Sequence, residues 1–171
     1  MRSVSGTVRA VVLASAMLVS GVAGGLPAVA TGVHAAGQWP TYVNARYGYR
    51  VCYPAGLLRP AAEAPNGDGR RFNGAGGAVL RVWGSNNALN DTVASSAAED
   101  RKRLTQNGQV SYAVTRPNWY VLSGRQNGQI FYLKSMLAHG TFSTMELRYP
   151  AAAQRQWAPV VARLSKCFSA A

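Results

Sequence analysis

Arginine and aromatic side chains carry most of the chemistry that this 171-residue sequence offers. A guanidinium group can pair with a carboxylate or a phosphate, and an exposed aromatic ring can stack on a ligand or anchor a protein partner. The candidate binding residues are Arg70, Arg71, Arg81, Trp83, Arg116, Trp119, Tyr120 and Arg125. The alternative is that the rings belong to the core and the arginines only end the strands. Because Trp119 and Tyr120 are adjacent, a strand turns them to opposite faces.

A polar loop of sequence NGDGRR, residues 66–71, contains the first two of these arginines. Its backbone N–H groups could cradle an anion beside Arg70 and Arg71. It has a single aspartate where a calcium loop alternates carboxylates, and it lacks the Gly-Lys-Ser/Thr ending of a nucleotide-binding loop. A tight turn ahead of a strand is the simpler interpretation, because Asn-Gly and Asp-Gly favour turns.

Groups suited to acid–base catalysis are scarce. The sequence has two histidines, no Gly-x-Ser-x-Gly elbow and no histidine pair at the helical spacing that could hold zinc. Glu99 and Asp100 are adjacent on a predicted helix, so their carboxylates diverge instead of facing each other. We predict no catalytic residue, no metal site and no cofactor. A hydrolase built on Glu146 and His139 is the alternative.

Two cysteines, Cys52 and Cys167, lie near opposite ends of the chain that follows the apolar N-terminal stretch. An even pair without the spacing of a metal site indicates a disulfide in an oxidising compartment. Such a bond would close nearly the whole domain into one loop. A catalytic thiol is the alternative, but it needs a neighbouring base, and histidine is almost absent.

The first 36 residues have the pattern of a secretory signal peptide. A basic start without acids is followed by an apolar run over residues 10–30, and small residues offer exits at 28–30 and 33–35. We predict cleavage there and a periplasmic or secreted protein with no transmembrane segment after cleavage. The alternative is an uncleaved anchor that keeps the protein at the membrane, since about 20 apolar residues could just cross a bilayer.

Charge narrows the class of partner. The leader removes only Arg2 and Arg9 and none of the acids, so the formal charge falls from +12 to +10 and stays strongly basic. A basic exported protein is attracted to an acidic protein or to an anionic component of the cell envelope, while export disfavours nucleic acid. The alternative is that the arginines only interact with water at the surface and bind no partner. Residues 37–171 have the length of one domain, which we expect to be a monomer.

Alternating apolar residues predict strands, and apolar residues at helical spacing predict helices. The predicted strands are 47–53, 70–73, 78–83, 109–115, 118–124, 129–138 and 141–149, and the predicted helices are 90–106 and a closing helix that starts near Trp157 with Pro159 at its first position. The polar stretch 59–68 is expected to be irregular because of Pro60 and Pro65. Asn127-Gly128 between two apolar runs predicts a hairpin. This order gives an α+β fold, a single domain in which two helices flank an antiparallel sheet.

Residues 47–54, YGYRVCYP, together with this element order, resemble the PsbP-like fold. That fold is the α/β/α sandwich of the extrinsic photosystem subunit and of a Ran-GTPase-binding nuclear import factor. Exported bacterial proteins with an aromatic-Gly-aromatic strand closed by Tyr-Pro look similar. The scarcity of titratable groups favours a small exported non-enzymatic binding or accessory module over an enzyme, because acid–base catalysis needs a positioned pair of ionisable groups. The resemblance is to a fold that hosts partner-binding proteins. It carries over no functional residue, because proteins of this fold bind unrelated partners.

Overall fold

A computed structural model describes Gly37 and residues 39–171. The predicted signal peptide, residues 1–36, lies outside the described residues. The elements are β1 (Thr41–Val43), β2 (Arg50–Cys52), β3 (Leu58–Glu63), β4 (Gly69–Gly74), β5 (Val79–Asn86), α1 (Val93–Thr105), β6 (Gly108–Arg116), β7 (Trp119–Gln126), β8 (Gln129–Ala138), β9 (Thr141–Pro150) and α2 (Gln154–Cys167). Neither helix is long and apolar enough to span a membrane, within the part of the chain that the structure describes.

Seven strands form one antiparallel sheet in the order β3-β4-β5-β9-β8-β7-β6. Short turns connect β6 through β9, so these strands lie side by side in chain order. Asn127 and Gly128 both have positive φ in the β7–β8 turn, which is the conformation that a tight hairpin requires. β9 then pairs with β5 and joins the two halves of the sheet. The predicted antiparallel sheet is confirmed.

The two helices cover opposite faces of this sheet. Strand alternation sends Ile130 of β8 into the core beneath α2 and its neighbour Phe131 into the core beneath α1. Trp157 and Leu164 are buried residues of the apolar stripe of α2, and Leu104 is the buried residue near the end of α1. The structure therefore confirms the α/β/α sandwich, and all described residues belong to one compact unit.

The predicted Cys52–Cys167 disulfide is confirmed. It joins the last residue of β2 to the last residue of α2, with the two Cα atoms 5.8 Å apart. Arg50 and Ser169 exchange backbone hydrogen bonds of 3.0 and 3.1 Å beside it. The covalent bond and this short bridge hold the end of α2 against the small sheet of β1 and β2.

Strand β3 corrects the prediction that residues 59–68 are irregular. Pro60 lies inside β3, opposite Phe72 of β4. Proline is tolerated there because an edge strand needs hydrogen bonds on one side only. Whether a strand lies at the edge of a sheet depends on the tertiary arrangement. The presence of proline was therefore not sufficient to exclude a strand at residues 58–63.

The start of α2 is a second correction. The helix begins at Gln154, so Pro159 lies inside it and not at its first position. Proline removes the N–H that would bond the carbonyl of Arg155. Both residues are exposed, and water can therefore take the place of the missing donor.

Helix α1 begins later than the predicted helix 90–106, at Val93. Thr92 is the N-cap, and its Oγ1 accepts a 3.0 Å hydrogen bond from the Ser95 backbone N–H. Ser95 Oγ accepts in return from the Thr92 backbone N–H at 3.0 Å. This reciprocal pair satisfies two free donors of the first turn.

Candidate functional site

The sheet face that carries α1 is only partly covered. The helix packs over β6 and β7 and leaves the same face of β3, β4 and β5 uncovered. We call this uncovered area the open face and define it by Arg59, Arg71, Asn73, Arg81 and Trp83. The three arginines and Asn73 are exposed, and Trp83 is half-buried. Arg59 was missed by the sequence interpretation because β3 was expected to be irregular.

An arginine pair lies at the centre of the open face. Arg71 of β4 is directly opposite Arg81 of β5. Within the described residues, neither guanidinium is within ion-pair distance of a carboxylate. Arg71 Nε instead donates to Asn73 Oδ1 at 2.7 Å. Like charges directly opposite each other in a sheet are unfavourable by several tenths of a kcal/mol, so the pair is suited to hold an anionic group between the strands.

A shallow depression adjoins this pair beside Gly69. A Cβ on Gly69 would lie 2.0 Å from the carbonyl oxygen of Val82, so the close approach of β4 and β5 excludes any larger residue. The depression has a volume of about 280 Å³, and the residues that border it include Arg71, Arg81 and Trp83 of the open face as well as Asp68 and Arg70. It could receive one side chain of a partner.

Arg70 is separated from Arg71 by strand alternation and lies on the opposite face of β4. Its guanidinium lies 5.1 Å from the centre of the Tyr42 ring and 3.8 Å from a carboxylate oxygen of Glu63. Burial, and then the hydrogen bond to Glu63, raise the pKa of Tyr42. Arg70 therefore belongs to a structural cluster and not to the open face.

The remaining candidates are also dispersed. Arg116 lies 5.9 Å from the Trp119 ring at one edge of the sheet, on the face opposite α1. Arg125 is exposed near the β7–β8 turn and contacts Gln154 at 3.4 Å. Tyr120 is buried under α1. Of the eight predicted site residues, the structure brings together Arg71, Arg81 and Trp83.

A cleft of about 420 Å³ separates α1 from the open face, and Trp83 borders both. On its other side the Tyr120 hydroxyl donates a 2.6 Å hydrogen bond to Asp100. Burial raises the pKa of Tyr120, and the charge of Asp100 raises it further. Tyr120 therefore keeps its proton at neutral pH.

Arg103 connects this cleft to the buried carboxylate of Glu146. Its guanidinium lies 2.7 Å from Asp100 and 3.3 Å from Glu146, and Arg148 also bonds Glu146. Burial alone would lower the pKa of Arg103, but the hydrogen bonds and charges of Asp100 and Glu146 raise it above its ordinary value. Both carboxylates are thus paired with arginines, as in a structural network.

The groups named in the hydrolase alternative do not meet. His139 lies at the exposed tip of the β8–β9 hairpin, whereas Glu146 is buried opposite Leu133. At about 3.4 Å per residue along a strand, they are roughly 20 Å apart. No three His, Cys, Asp or Glu side chains cluster as a metal site requires, anywhere in residues 37 and 39–171.

Comparisons with known proteins identify the architecture. No protein-family model matches the sequence, and no curated protein matches it. The solution structure of the cyanobacterial PsbP protein CyanoP, from Synechocystis sp. PCC 6803, superimposes with a TM-score of 0.59. The match covers 82% of this chain and 96% of that protein, at 16% sequence identity.

This chain has a PsbP-like fold. The resemblance noted from residues 47–54 and the element order is therefore confirmed at the level of fold. Identity this low carries no binding residue from one protein to the other. The open face and the cleft must be interpreted from the chemistry of this chain.

The Glu146 network allows a direct test of its structural role in this PsbP-like fold. We expect Glu146→Gln to lower the free energy of unfolding by about 2 kcal/mol, the scale of a hydrogen bond to a charged group, because Arg103 and Arg148 lose a shared counter-charge while only partly exposed. Urea unfolding measures this effect. Glu99→Gln is the matched control: Glu99 is an exposed carboxylate on α1, and its substitution should change stability by less than about 0.5 kcal/mol. Equal effects of the two variants would contradict the assignment.

Proposed function

We propose that this protein is an exported, non-enzymatic binding or accessory module of the cell envelope that holds an acidic partner on its open face. The observation that carries this proposal is the Arg71–Arg81 pair. Two exposed arginines lie directly opposite each other, and no carboxylate of the described chain is within ion-pair distance of either. Glu146 of β9 is the cross-strand neighbour of Arg81, but its carboxylate pairs with Arg103 and Arg148. A partner that brings its own carboxylate or phosphate would remove the repulsion between them. The PsbP-like fold is consistent with a small accessory module.

An acidic protein fits this surface better than a purely electrostatic partner such as a lipid headgroup or an anionic polymer. The guanidinium fork matches a carboxylate and a phosphate alike, so the preference for a protein rests on Trp83 and the adjoining depression. Trp83 and the adjoining depression of about 280 Å³ add a place for a side chain. Aromatic and arginine residues together are typical of the positions that dominate binding energy in protein interfaces.

Export is part of the same proposal. The leader pattern of residues 1–36 supports it, and a disulfide is stable in the oxidising compartments outside the cytosol. The mass of the protein recovered from the envelope tests cleavage. A mature chain starting near residue 37 is expected, whereas an intact N-terminus would indicate the membrane-anchored alternative.

The binding proposal is tested by crosslinking and pull-down of the tagged protein from its own envelope, at low and at high salt. We expect one dominant acidic protein to survive high salt, and Arg71→Glu to reduce its capture about tenfold. The substitution removes one cation and ties up Arg81 in a cross-strand ion pair. For the same reason, Arg71→Glu should unfold at no lower urea concentration than the unmodified protein.

Arg155→Glu is the matched control for that experiment. It changes the net charge by the same amount, but Arg155 is exposed in the first turn of α2, on the other side of the sheet. Equal losses in the two variants would mean that total charge, and not the open face, attracts the partner. Capture of anionic lipid or polymer alone, lost as salt rises, would replace the protein partner with an envelope component. Capture of nothing at either salt would exclude a stable partner.

A further inference from the structure

The two edge strands of the large sheet differ in how they are protected. An edge strand presents backbone N–H and C=O groups on which another strand can pair. β3 carries Pro60, the charged residues Arg59 and Glu63, and a register shift between Pro60 and Glu63. Proline, charge and irregularity are the features by which natural proteins prevent edge-to-edge pairing.

β6, the opposite edge, has little of this protection. Its nine residues include no proline and one charged residue, Arg116, at the very end. A register shift between Val110 and Tyr112 interrupts the first half, but residues 112–116 pair regularly with β7. Tyr112 is 55% exposed, one of three large apolar side chains this exposed in the described residues. The second half of β6 is therefore a regular and nearly uncharged edge.

We propose that two copies of this chain pair antiparallel through residues 112–116 of β6, with Val114 on the two-fold axis. Val114 then lies opposite Val114 of the second copy, and Tyr112 lies opposite Arg116 of the second copy. Strand alternation places these three side chains on one face, beside Trp119 and Val121 of β7. The contact is the same surface on both copies, as a two-fold dimer requires. It joins two seven-stranded sheets into one.

The sequence of β6 is self-complementary about Val114, which favours a second copy as the occupant of this edge. Two strongly basic molecules repel each other through most of their surfaces, but β6 contributes only Arg116 to the contact. The proposed register places each Arg116 against the Tyr112 ring of the other copy, where a cation–π contact can form. The two Arg116 residues are then four residues apart, roughly 14 Å, which exceeds the screening length of about 8 Å at physiological salt.

The proposed dimer is compatible with the function proposed above. β6 and β3 are at opposite edges of the sheet, so pairing through β6 leaves the open face uncovered. The contact is short, and we expect weak, concentration-dependent association, because small interfaces are the ones found in transient encounters. This inference departs from the monomer that composition alone leads us to expect.

Sedimentation velocity of the protein produced from the full chain, between about 5 and 500 µM, tests the proposal. The sedimentation coefficient should rise with concentration. Val114→Lys alone and Val114→Glu alone should both remain monomeric, because each places like charges opposite each other on the axis. An equimolar mixture of the two variants should dimerise again. Near-ultraviolet circular dichroism of each variant establishes that it is folded.

Engineered cysteines test the register itself. Val114→Cys should form an intermolecular disulfide under mild oxidation, since directly opposite Cβ atoms lie about 5 Å apart. Arg116→Cys, expected roughly 14 Å from its counterpart, should crosslink at least tenfold more slowly. Cys52 and Cys167 are bonded to each other and offer no competing thiol. A monomer at all concentrations, no recovery in the Lys and Glu mixture, or equal crosslinking rates would each overturn the proposal.

Discussion

Loss of the Cys52–Cys167 disulfide is expected to lower the free energy of unfolding by about 4 to 5 kcal/mol. The bond spans 115 residues and so restricts almost the entire unfolded domain to a closed loop. Releasing it raises the entropy of the unfolded chain, while the folded chain keeps most of its contacts. The Cys52→Ser/Cys167→Ser double variant measures this loss in urea unfolding.

The reduced, unmodified protein is the matched control, because it retains both sulfur atoms and lacks only the covalent bond. Its stability should agree with that of the double variant to within about 1 kcal/mol. A much smaller loss in the reduced protein would mean that the serine substitutions disturb packing. Unchanged stability in both would show that the loop is already restricted in the unfolded chain.

Alkaline unfolding is the second large effect that we expect. Burial raises the pKa of five tyrosines above the ordinary value near 10: Tyr42, Tyr49, Tyr120, Tyr132 and Tyr149. Above pH 10 the unfolded chain releases these protons while the folded chain retains them. The folded state then binds more protons, so stability falls as the pH rises.

Tyr49 and Tyr120 have the largest increases in pKa and dominate this effect. Each should remove about 1.4 kcal/mol of stability by pH 11, relative to pH 9. The other three act in the same direction. Burial lowers the pKa of Lys134, so this one group makes stability rise with pH. Its effect is opposite to that of the five tyrosines. We expect the urea midpoint to fall steeply between pH 10 and about 11.

Tyr49→Phe tests the assignment, because it removes one buried titrating proton and the 3.0 Å hydrogen bond to the Asp68 carbonyl. Its stability should be lower than that of the unmodified protein at pH 8 but should fall less by pH 11. Ser123→Ala is the matched control, since it removes a 2.8 Å hydrogen bond to the Phe131 carbonyl without removing a tyrosine. Parallel pH profiles of the two variants would contradict the tyrosine mechanism.

Local signals made the antiparallel strands β6 to β9 predictable from the sequence. A two-residue period and an Asn127-Gly128 turn depend only on neighbouring residues, and the structure reproduces them. The disulfide was predictable because two cysteines without metal-type spacing have one intramolecular pairing. Export and the boundary at residue 37 stay predictions, since they concern residues outside the described part of the chain.

Pro60 and Pro159 are two residues whose effect could not be predicted from the local sequence. The same proline that would disrupt a central strand is acceptable at an edge, and a helical proline is acceptable where water can reach the unpaired carbonyl. Both conditions depend on which neighbours lie beside the residue. A single sequence does not contain that information.

The open face shows most clearly the difference between what local sequence predicts and what depends on the folded arrangement. The order of residues is enough to predict a basic, arginine-rich chain with an α+β order, a cysteine pair and a set of candidate arginines and aromatics. It does not predict that Arg71 lies opposite Arg81 and beside Trp83, or that Arg70, Tyr120 and Arg125 lie elsewhere; these placements come from the folded arrangement. Strand alternation determines which side chains share a face, while strand order and the placement of α1 determine which part of that face stays open.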